Sequence, residues 1–157
     1  MRFSGERQLR TPIDQVWAAL HDSEVLRAVI PGCEELVPLD AGTYAATLAA
    51  RVGPVADTYR GRFSVEDLRA GSDLRVSVQG RGRAGRLEVD LRVQLSPGRQ
   101  TDVTVLRYDA HATVGGFVAR LGNATLTVVG GHLTGAFFRD LDGSLRRRAR
   151  TQRVALV

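Results

Sequence analysis

The chain lacks much of what specialised chemistry draws on. Lysine is absent from its 157 residues, so all 22 basic side chains are arginine. There is one cysteine, Cys33, in the stretch AVIPGCEEL. A lone cysteine closes no internal disulfide, which fits a reducing compartment. His21, His111 and His132 fall on separate segments without metal-type spacing, and a single thiol completes no zinc pattern. Neither a G-x-S-x-G elbow nor a phosphate-binding P-loop occurs. No apolar run approaches the roughly 18–20 residues that span a bilayer as a helix. The opening MRFSGERQLR is charged and has no export core. The expected location is therefore the cytoplasm.

Aromatics are also scarce, 6% against 43% hydrophobic residues in all, so the core is expected to be aliphatic and small-sided. The length fits one domain that can bury a sizeable core. The charge is unevenly spread. Residues 144–157, SLRRRARTQRVALV, hold five arginines and no acid, and the rest of the chain has as many arginines as acids. The net +5 thus belongs to the tail. We expect one domain over 1–145 and an arginine-rich tail over 146–157, solvated or touching an anionic surface. Nucleic-acid binding would need a basic patch interleaved with aromatics or a recognisable module. The sequence shows neither, and no nucleic-acid partner is expected.

What is present is a clear change of period. Residues 2–9 alternate as a strand. Thr11-Pro12-Ile13-Asp14 reads as a helix start, with a hydroxyl cap, proline at the first position and an acid at the positive dipole end. Asp22-Ser23-Glu24 restarts a second short helix, which Pro31-Gly32 stops. From about 33 to 113 apolar residues alternate with polar ones, the pattern of an antiparallel sheet with one dry face. The Gly53-Pro54 and Pro97-Gly98 pairs mark turns. Parity shifts between Val105 and Leu106, which predicts a bulge there. Beyond Gly115-Gly116 the spacing becomes helical, from Val118 through Leu126, Leu133 and Leu141 to Leu145. Gly130 and Gly131 inside that run predict a bend, a close contact or an early stop.

The predicted architecture is α+β: a curved seven-stranded antiparallel sheet wrapped around one long C-terminal helix, with two short helices after strand 1. Small inward residues, Ala46, Ala50, Gly61, Gly80, Ala110 and Ala112, motivate a cavity between helix and sheet. Tyr44, Leu48, Tyr59, Phe63, Val76, Val78, Leu91, Tyr108, Phe117 and Leu121 are its predicted ligand-binding walls, with tyrosine hydroxyls as orienting groups. Three candidates for acid–base work, Asp57, Asp109 and His111, would instead suit a small enzyme if they faced that cavity. Gly80-x-Gly82-x-x-Gly85 has the letters of a dinucleotide fingerprint, but a period-two strand follows it rather than a helix, so it reads as a hairpin turn. Cys33 has no visible activating base and reads as a small residue opening a strand.

A set of local motifs carries a resemblance. Phe3-x-Gly5, Val16-Trp17-x-x-Leu20, Ile30-Pro31-Gly32-Cys33, Val52-Gly53-Pro54-Val55 and Gly61 are joined by Gly80-x-Gly82-x-x-Gly85 and Thr104–Tyr108. Val114-Gly115-Gly116-x-x-Ala119-x-Leu121-Gly122 completes the set. Together the chain resembles the carbon monoxide dehydrogenase CoxG family over residues 1 to about 141, within the START-like (SRPBCC) helix-grip superfamily. The resemblance implies a non-catalytic accessory protein of a molybdenum hydroxylase of the carbon monoxide dehydrogenase type. It implies a lipophilic, quinone-like molecule held between helix and sheet, no covalent cofactor, and a role in membrane recruitment or electron transfer. A peripheral place on the cytoplasmic face of the membrane follows from the same resemblance. Two other readings stand beside it: a small cyclase- or hydrolase-type enzyme using a cavity acid, and an adaptor without ligand whose arginine tail does the docking.

Overall fold

In the computed structural model the described residues are 1–52 and 54–155. Seven strands form one sheet: β1 (Arg2–Leu9), β2 (Cys33–Asp40), β3 (Thr43–Val52), β4 (Val55–Arg69), β5 (Asp73–Arg81), β6 (Arg86–Pro97) and β7 (Thr104–Gly115). Their spatial order is β1-β7-β6-β5-β4-β3-β2, and every neighbouring pair is antiparallel. The sheet is curved, and its six-strand meander closes on β1 beside β7. This is the predicted helix-grip architecture. Gly53, in the predicted β3–β4 turn, and the last two residues of the arginine-rich tail lie outside the described residues.

Helices α1 (Ile13–Leu20) and α2 (Ser23–Val29) follow β1. The Asp22 carboxylate accepts the Glu24 N–H at 3.0 Å and caps α2 as expected. Thr11 does not cap α1. Pro12 holds that position without a side-chain bond, and Thr11 is buried. Its carbonyl accepts the Thr104 hydroxyl at 2.6 Å, which ties the start of α1 to the start of β7.

The predicted bulge at 105–106 is also absent. The β7 register with β6 and with β1 runs without a shift through both residues. Val103 lies outside the strand, and the true inward parity begins at Thr104, a polar residue that is 0% exposed. The register shifts occur elsewhere, two of them in edge strand β2 around Glu34 and Leu39. With Pro38 they blunt that edge against pairing with another chain.

After β7 the chain does not enter the long helix directly. A 3-10 turn spans Phe117–Leu121, bracketed by Gly116 at φ 83° and Gly122 at φ 85°, left-handed conformations that favour glycine. Only then does α3 (Gly122–Ala155) begin, and it continues unbroken into the arginine-rich segment. Gly130 explains itself by position: a Cβ there would strike the ring of Phe3, so α3 crosses β1 in close contact at this point.

Candidate functional site

The inward faces of β3–β7 and the first half of α3 do not meet. Between them lies a cavity of about 470 Å³, within the range of small-molecule sites. Phe3 and Met1 close it on the β1 side, and Leu20, Leu26, Ile30 and Pro31 close it on the side of the short helices. From α3 it receives Leu126, Val129, Gly130, Leu133, Thr134, Phe137 and Phe138. Exposed bordering residues, Gly32, Ala49, Arg51, Arg86 and Leu133, mark its mouth.

Of the ten predicted wall residues, seven border this space: Leu48, Tyr59, Phe63, Val76, Val78, Leu91 and Tyr108. Tyr44 does not. It stands opposite Phe63 toward the other end of β3, its ring tilted against that phenyl at 6.1 Å. Phe117 and Leu121 do not border it either, because the 3-10 turn breaks the helical phase assumed for them. Phe117 is 57% exposed, with the Arg120 guanidinium 5.6 Å from its ring centre. The space-giving small residues divide likewise. Ala50, Ala110 and Ala112 border the cavity. Gly61 and Gly80 instead stand opposite each other where β4 and β5 approach closely, and a Cβ on Gly61 would strike the Gln79 carbonyl.

The wall is apolar with a few polar groups, and among the described residues it includes no Asp, Glu or His. The Thr134 hydroxyl donates to the Gly130 carbonyl at 2.8 Å, a bond internal to α3. Tyr108 leans over Gly5 and stacks near Phe138 at 5.1 Å. Burial, and secondarily the charge of Asp57, push the Tyr59 phenol above its ordinary value, so it stays a neutral donor. Among the described residues neither phenol hydroxyl has a hydrogen-bond partner in the protein.

The three acid–base candidates sit elsewhere. Asp109 pairs with Arg2 at 2.8 Å on the outer face. His111 is exposed on that same face, its register partners being Arg2 and Asp90. Asp57 serves the β5–β6 turn: its carboxylate accepts backbone N–H groups of Ala84 at 2.8 Å, Thr58 at 2.8 Å and Arg83 at 3.2 Å. Those donors, Ala84 first, hold its pKa below the usual aspartate value. Gly82 leaves room for that carboxylate, since a Cβ there would strike it. The turn is tied onward by the Val118 N–H, which donates to the Ala84 carbonyl at 2.8 Å. Gly80-x-Gly82-x-x-Gly85 is therefore a turn held by an aspartate, as its strand context indicated.

Cys33 opens β2 beside the cavity rim, and burial pushes its thiol up rather than activating it. No group of three or more His, Cys, Asp or Glu suited to a metal ion occurs among the described residues. No helix among them is long and apolar enough to cross a membrane.

Sequence and structure comparisons agree with this layout. The family profile for CoxG, a subunit of carbon monoxide dehydrogenase, matches residues 5–145. A conserved protein from Geobacillus kaustophilus superposes with a TM-score of 0.88 at 26% identity, covering 94% of this chain and 96% of its own. A START superfamily protein from Mycobacterium smegmatis gives a TM-score of 0.73 at 12% identity, covering 93% and 97%. The ZhuI aromatase/cyclase from Streptomyces sp. R1128 gives 0.66 at 17% identity, covering 95% of each chain. The last two likenesses concern the fold alone. Comparison with curated proteins finds no match.

Proposed function

Because the chain belongs to the carbon monoxide dehydrogenase CoxG family, we propose that it is a non-catalytic accessory protein that holds a lipophilic, quinone-like molecule under α3. The observation that supports this reading is the cavity, apolar on nearly every side and about 470 Å³ in volume. A ring system of drug size fits such a space. A long polyprenyl tail does not, and would leave through the mouth past Leu133. Quinone carbonyls accept hydrogen bonds and carry no charge, which suits a wall whose phenols are Tyr59 and Tyr108. In this reading the partner is a molybdenum hydroxylase of the carbon monoxide dehydrogenase type, and the bound molecule links it to the membrane by recruitment or electron transfer. The enzymatic alternative has no observation in its favour, since Asp57, Asp109 and His111 all lie outside the cavity wall.

Native mass spectrometry of the purified chain, followed by solvent extraction, tests the proposal directly. A co-purifying lipophile, or micromolar binding of a short-chain naphthoquinone by calorimetry, is the expected result. That binding should fall at least tenfold in Ala112→Phe, which fills the cavity. Absence of any quinone binding at micromolar concentration would sink it.

A further inference from the structure

The outer face of the sheet treats its arginines in two ways. Toward one end acids lie among them: Arg2 pairs with Asp109 and Arg75 with Asp90 at 2.8 Å, Arg107 pairs with Glu6 at 2.9 Å, and Arg92, opposite Arg75, has Asp109 as its other register partner. Toward the other end Arg60, Arg81 and Arg86 stand directly opposite one another across β4, β5 and β6. All three are exposed, and among the described residues none has an ion pair. Like charges directly opposite in a sheet are destabilising, so this row is a local cost to the fold. The nearest acids do not relieve it. Glu88 lies one rung away, opposite Gln79 and Thr113, and Asp57 is occupied by three backbone N–H groups.

The row is continuous with the cavity mouth. Arg86 borders the cavity and lies across Gly115, its register partner on β7. Two residues beyond Gly115 is the exposed Phe117, with Arg120 over its ring. Leu133, 45% exposed, stands at the mouth. We infer that this end of the molecule docks on an anionic lipid bilayer, with the row Arg60, Arg81 and Arg86 on the headgroups and Phe117 at the interface. Guanidinium groups complement anionic headgroups, and an adjacent phenyl has somewhere apolar to go only on a membrane or a partner of mixed surface. The choice of a bilayer rests on the lipophilic-ligand reading, because such a ligand enters from and returns to a lipid phase. The other basic surface is the far end of α3, where Arg147, Arg150 and Arg153 are exposed. It lies beyond Leu145 and the packed core, away from the mouth.

Vesicle co-sedimentation separates these surfaces. Vesicles of mixed phosphatidylglycerol and phosphatidylcholine should bind the full chain, and phosphatidylcholine alone should not. Each basic residue at an anionic surface changes partitioning by about fivefold, so Arg60→Gln/Arg81→Gln should weaken binding by about thirtyfold. Arg2→Gln/Arg75→Gln and Arg147→Gln/Arg150→Gln remove the same charge and should change it only a few-fold. Equal losses in all three pairs, a loss confined to the α3 pair, or no binding by the parent chain would each overturn the inference. Calorimetry with a short-chain naphthoquinone, without vesicles, reads the ligand separately. The Arg60→Gln/Arg81→Gln variant should keep the parent affinity. No affinity in the parent would defeat the ligand reading and leave the vesicle result to decide docking by itself.

Discussion

The two halves of α3 lie over the same sheet and meet different things. The C-terminal half, through Leu141 and Leu145, packs in one core with α1, α2 and Leu95, and Phe138, Leu74, Val93 and Leu106 join that core where it gives way to the cavity. The N-terminal half faces Val78, Leu87, Val89, Ala110, Ala112 and Val114 across the cavity. The same β6 shows both conditions: Val93 and Leu95 are buried, and Leu87, Val89 and Leu91 are only half-buried. The short helices fill the gap at one end and stop before the other. An apolar face left uncovered by its own chain is expensive in water, and its retention here supports a ligand as the missing layer.

The contrast can be broken by deletion. Leu141 is 0% exposed within the packed end, so Leu141→Ala should cost about 2–5 kcal/mol in denaturant unfolding, the transfer loss plus a new void. Val89→Ala only widens an existing space and should cost about 1 kcal/mol. Equal costs would mean that the open end is packed in solution. Enlargement works the opposite way. Ala19→Phe inserts a ring where no room exists and should destabilise by about 1–3 kcal/mol or more. Ala112→Phe should stay near the parent in stability while losing ligand affinity.

Both ends are legible in the sequence only where local chemistry decides. Alternation locates the strands, and Pro31-Gly32 locates the stop of α2, because both depend on local chemistry. Errors arise where a distant partner decides. Thr104 disguises the inward parity of β7, since its buried hydroxyl is satisfied by Thr11, far away in sequence. Thr11 reads as a cap for the same reason. A 3.6 period extended backward through the 3-10 turn puts Phe117 and Leu121 in the wall, and the glycine brackets do not reveal the new phase. Nothing local says that the α2–β2 rim and Phe3 face a void, so the sequence does not point to them. The role of Asp57 depends on residues 83 and 84, which no periodicity joins to it.

Adjacent glycines on α3 sharpen the comparison at smaller scale. Gly131 has nothing near its missing Cβ, so Gly131→Ala should stabilise the helix by about 1 kcal/mol. Gly130→Ala should gain less or lose, because its methyl group displaces the ring of Phe3. That ring borders the cavity and has room to swing into it. Thermal unfolding should therefore separate the two variants modestly, and naphthoquinone affinity should fall in Gly130→Ala alone. Matching affinities would show that Phe3 does not shape the site.

The smallest effect concerns how each end responds to acid. Around Leu141 the packed end is joined by apolar contacts that do not titrate, and the β5–β6 turn at the open end is held by the Asp57 carboxylate. Backbone donors, Ala84 foremost, depress its pKa in the folded state. Its contribution is therefore complete above the ordinary aspartate value of about 3.9 and disappears as pH falls through the lower folded value. Amide exchange at Arg83 and Ala84 should accelerate in that acidic range before exchange near Leu141 does. In Asp57→Asn the turn should already exchange faster at neutral pH and should lose most of its acid dependence. Simultaneous loss of protection at both ends would mean that the turn is not a separate unit, and that acid acts on the whole domain through other carboxylates.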